Sequence, residues 1–135
     1  MDLLAEKKRE NIAGYVISMW HIEDLVRATG FDIEKLHAQL IAPMEADEET
    51  SAEVRNWYAG IMQQMREQGL ERSGHLTEVA EVVNELEFLH RTFMEVLNDE
   101  DYEALFAKAE PGITTLQQQA GDGAHGPIET CFTAI

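Results

Sequence analysis

Apolar residues recur along this chain at intervals of three and four, the spacing of one helix face, and no stretch shows the strict alternation of a half-buried strand. Set at ~100° per residue, Ala5, Ile12, Tyr15, Val16, Met19, Ile22 and Val26 share one arc with Trp20 at its edge, which predicts a first helix over residues 3–28. Thr29-Gly30 supplies its stop. Asp32 reads as the N-cap of a short second helix carrying Ile33, Leu36, Leu40 and Ile41, ending before Pro43 because the residue ahead of a proline avoids helical angles. After a polar connection, Thr50 and Glu53 have capping-box spacing. They predict a third helix with Val54, Trp57, Tyr58, Ile61, Met62 and Met65 on one side, closing near Gly69.

A fourth helix is predicted from Gly74 or His75 to Leu97, with Val79, Val82, Val83, Leu86, Leu89, Phe93, Val96 and Leu97 on its arc. A fifth starts near Asp99, burying Tyr102, Leu105, Phe106 and Ala109, and is broken or kinked at Pro111 before Ile113 and Leu116 resume the stripe. Residues 121–127 form a flexible linker by composition, and Pro127 can open a last helix at its first position. Ile128, Cys131, Phe132 and Ile135 recur there at i, i+3, i+4 and i+7, which predicts docking onto the rest, although the helix reads as cut short. These elements describe a single all-α domain over residues 1–135, an antiparallel helical bundle of five to six helices.

Two polar residues sit where apolar ones belong. Glu23 projects between Ile12 and Val16, where an unpaired carboxylate is strongly disfavoured, and His90 lies between Val83 and Leu86. Each needs a partner. The pattern predicts that Glu23 and His90 meet across the core, with Arg27, one turn after Glu23, also able to reach the carboxylate.

A length of 135 residues and an apolar share of 44% suit a chain that buries a core. The formal charge of −16 disfavours nucleic acid or an anionic membrane as partner, since either would be repelled over most of the surface. Residues 1–30 hold four Lys or Arg against five Asp or Glu, so nearly all of that charge falls in the rest, notably around 45–49 and 99–101. The N-terminus lacks the apolar run of a signal peptide or membrane span, and a single Cys131 fits a reducing cytoplasm.

Lys8-Arg9-x-Asn11-Ile12-Ala13-x-Tyr15 followed by Met19-Trp20-x-x-Glu23-Asp24-Leu25-x-Arg27 resembles the opening of a bacterial family of short all-helical proteins classed as a domain of unknown function. Trp57-Tyr58, Met65-Arg66, Gly74-His75-Leu76, Leu89-His90 and Ile128-Glu129-Thr130-Cys131-Phe132 extend the likeness over most of the chain. The resemblance implies a helical fold and a further apolar, then basic, helix after the last of these elements. It implies no activity, ligand or site residue.

Candidate chemistry is sparse. Glu87-Phe-Leu-His90 has the Glu-x-x-His spacing of di-metal bundles, and His21-Ile-Glu-Asp24 offers a second i, i+3 pair, but His21 lies opposite the apolar arc of its helix. The glycines of 121–126 lack the strand and the Lys-Ser/Thr of a phosphate loop, and Cys131 with His125 lacks an orienting group for nucleophilic catalysis. The sequence therefore points to a non-enzymatic interaction or scaffold protein, a homo-oligomer or small adaptor with a protein partner, no cofactor and no identifiable small-molecule substrate. Its alternative is a metal-dependent helical hydrolase or oxidase using Glu23, Glu87 and His90.

Overall fold

In the computed structural model, which describes residues 2–120 and 126–135, local capping decides where each helix begins and ends. The first predicted helix is two. Helix α1 (Asp2–Glu10) gives way at Asn11 to α2 (Ile12–Ala28), because the Asn11 side chain turns back to accept the Gly14 amide at 3.0 Å and acts as an N-cap. Gly14 makes that turn feasible: a Cβ there would stand 2.7 Å from the asparagine amide nitrogen. Lys7 bridges the break by donating to Ser18 at 3.2 Å.

Helix α3 (Ile33–Leu36) is capped by Asp32, which accepts from the Glu34 amide at 2.9 Å, as its sequence predicts. It does not stop before Pro43. A π turn (His37–Ile41) and a 3-10 turn (Ala42–Met44) carry the coil through the proline, and the wide π turn accommodates a ring that lacks an N–H. The chain then reverses at Glu45, with φ at 51°. Helix α4 (Glu48–Glu67) starts earlier than the Thr50/Glu53 spacing implies, since Asp47 accepts the Thr50 amide at 2.7 Å. That bond also holds the Asp47 carboxyl below its ordinary pKa. Gly69, at φ 70°, closes α4 where expected.

Helix α5 (Thr77–Arg91) runs on through a π turn (Thr92–Val96), followed by α6 (Glu100–Ala120) and α7 (Pro127–Ala134). The described residues thus form seven helices and no strand, one helix more than the upper expectation. Pro111 lies inside α6 without breaking it: residues 107–112 are exposed, so water can satisfy the carbonyl that the proline leaves without a donor.

The chain divides into two compact units, Met1–Val79 and Ala80–Ile135. In the first, Val16, Val26, Leu36, Ile41, Met65 and Val79 are fully buried, so the predicted faces of α2, α3 and α4 do form core. In the second, Val82, Val83, Ile113 and Phe132 are buried, and α7 packs on α6. Beyond Leu86 the predicted arc holds only in part: His90 is buried and Phe93 half-buried, but Leu89, Val96 and Leu97 are exposed, as are Leu105 and Ala109 of α6 and Ile135 after α7. Among the described residues no helix is long and apolar enough to cross a membrane.

Candidate functional site

The carboxylate of Glu23 on α2 is completely buried and has two donors. Its Oε2 accepts the Leu76 amide at 2.8 Å, one residue before α5, and its Oε1 lies 2.7 Å from His75 Nδ1. A carboxylate is favoured there, where the first amides of a helix have no partner within it. The His75 ring stacks on Trp20, with centroids 4.3 Å apart and planes within 10° of parallel. One turn along α2, Arg27 donates its Nε to the Leu70 carbonyl at 3.0 Å, a second nitrogen to the Gly74 carbonyl, and a third to Asp24 at 3.3 Å. Two side chains of α2 thereby hold both ends of the connection between α4 and α5.

Glu23 has the partner that its position demands, but His75 and not His90 supplies it. Arg27 serves backbone carbonyls and Asp24 rather than Glu23. In the second unit His90 is buried, its Nδ1 lies 2.7 Å from the Tyr102 hydroxyl, and its ring packs on Phe106 at 4.5 Å. His75 falls within the family resemblance, but residues 70–76 have no periodicity, so nothing in the sequence marks its side chain as facing α2. Tyr102 was visible as an apolar position only.

Glu87, the residue with metal-type spacing to His90, accepts the Glu129 amide at 2.9 Å near the start of α7. Gly126 allows this approach, because a Cβ at that position would collide with the Glu87 carboxylate. Burial first, and then the Glu87 charge, raise the Cys131 thiol above its ordinary pKa. Burial, then Cys131 and Glu87, raise the Tyr102 phenol likewise. This polar group has neutral thiol and phenol, and its carboxylate caps a helix. Among the described residues no three His, Cys, Asp or Glu side chains are grouped so as to hold a metal ion. Residues 121–125 of the predicted linker, among them His125, the base that a Cys131 nucleophile would need, lie outside the described residues.

The remaining feature of note is apolar and faces outward. Phe88 on α5 is 63% exposed and Val96, at the end of the π turn, 72%. Phe88 stands between two open hollows, one of 440 Å³ beside Glu85 and Leu89 and one of 290 Å³ beside Thr92 and Val96. Thr92, which lines the second hollow, donates its hydroxyl to the Phe88 carbonyl at 2.9 Å, so its donor is already used. A large exposed ring with apolar neighbours along one helix face can make contact with another protein.

The sequence model of one family, described as a domain of unknown function (DUF4924), matches residues 1–135. The chain belongs to that family. No curated protein and no solved structure matches it.

Proposed function

We propose that this protein is a non-enzymatic helical interaction protein of the bacterial cytoplasm, whose helices pack antiparallel within each unit and which works through protein–protein contact as a homo-oligomer or small adaptor. The observation that carries this reading is the exposed face of Phe88, Leu89 and Val96 in the second unit. Side chains of this size gain roughly 1.5–3 kcal/mol each when fully buried, and a contact surface is the direct use of three neighbours left in water. The polar groups favour the same reading, since the Glu23 carboxylate ties a connection to α2 and the Glu87 carboxylate caps α7.

A photoreactive phenylalanine analogue at position 88 tests it in the source cells. Crosslinking to protein is expected from position 88 and not from an exposed polar position such as Gln118. A position 88 that captures no protein, neither this chain nor another, would remove the reading.

A further inference from the structure

The face around Phe88 combines a ring, two hollows and charges of both signs. It presents one protruding ring with a hollow on either side, and an apolar side chain, Val96, two turns away. Arg91, on the flank of the same helix, has no ion-pair partner among the described residues, and Glu95 follows one turn later. With Glu85 the face carries two acids and one base, so it is close to neutral while the whole chain carries −16. A strongly basic partner would be drawn to the acidic surface elsewhere and would meet an arginine here.

We propose that this face pairs with the same face of a second copy, the two α5 helices lying antiparallel about a two-fold axis at Thr92. In that register Phe88 of each copy enters the hollow beside Val96 of the other. Arg91 of each comes within reach of Glu95 of the other, and the spent hydroxyl of Thr92 at the axis leaves no donor stranded. One helix face falls at the small end of specific interfaces, roughly 1,000 Å² in total, so association is reversible and depends on concentration. The inference rests on the reading of this face as a contact surface and adds its occupant and register.

Sedimentation equilibrium of the full 135-residue chain over two decades of concentration tests it. The wild type should shift from monomer to dimer, and Phe88→Asp should weaken the dimer by about tenfold or more. Arg91→Glu should weaken it about fivefold, and adding Glu95→Arg to that variant should restore it. All these positions are exposed or flank exposed ones, and circular dichroism checks that each variant keeps its helices. A wild type that stays monomeric throughout overturns the pairing, while crosslinks from position 88 to a different protein would leave the contact reading standing. A dimer indifferent to Phe88→Asp likewise overturns the pairing through this face. A double swap that fails to restore association overturns the antiparallel register.

Discussion

Glu23 and His75, 52 positions apart in sequence, meet at 2.7 Å, with the carboxylate wholly buried and the imidazole lying flat on Trp20. The same carboxylate takes the Leu76 amide, so one side chain of α2 fixes both the last residue of a connection and the start of the next helix.

Removing that carboxylate strands a buried amide and frees the imidazole. Glu23→Ala should cost about 3 kcal/mol in urea unfolding, and Glu23→Gln, which keeps an acceptor, about half of that. His75→Ala should cost less, because the ring is one-third exposed, and combining it with Glu23→Ala should show coupling of about 1 kcal/mol. Additive effects would show that the pair contributes nothing jointly.

Arg27→Lys tests the hold on the connection. A guanidinium serves the Leu70 and Gly74 carbonyls together, whereas an ammonium on a flexible stem cannot span both in the same geometry. Amide exchange of residues 70–76 should speed up by about tenfold, with α4 itself little changed. Unaltered exchange in that stretch would rule the arginine out as its anchor.

Gly126→Ala should destabilise the second unit by about 1–3 kcal/mol, because the added methyl collides with the Glu87 carboxylate rather than with the backbone. Its φ of −61° suits any residue, so backbone strain is not the cause. Adding Glu87→Ala should then cost much less than it does in the wild type. If the two losses simply add, the contact is not responsible.

The raised pKa values of Cys131 and Tyr102 give stability a sign with pH. Both groups prefer their neutral form when folded, so stability is full below their ordinary values of 9.0 and 10.0 and is lost as the pH rises through the folded ones. The melting temperature should therefore fall above about pH 9, and Cys131→Ser with Tyr102→Phe should flatten that fall. The thiol should also alkylate more slowly than a free cysteine at pH 8. A fast-reacting Cys131 would contradict the burial that raises it.

What could be read from the sequence was local. A period near 3.6 marked every long helix, Asp32 opens α3 and Gly69 closes α4 as the sequence predicts, and the arcs of α2 and α4 became core because one face of an amphipathic helix has few other places to go. That Glu23 required a partner was equally legible, since a carboxylate among Ile12, Val16 and Met19 must be satisfied wherever the chain goes. The family was legible too, in motifs spread over most of the chain, and the family model matches residues 1–135.

Competition and distance decided the rest. Asp47 prevailed over Thr50 as a cap, and Asn11 interrupted a continuous apolar stripe, because capping geometry depends on backbone angles that periodicity does not report. Leu89 and Val96 belong to the same sequence pattern as Val82 and Val83, yet they stay in water, since burial depends on which element lies opposite and not on the helix alone. The partner of Glu23 was beyond the reach of sequence for the same reason: His75 stands in a connection without periodicity, and only the tertiary path of residues 68–76 over α2 brings its ring to the carboxylate.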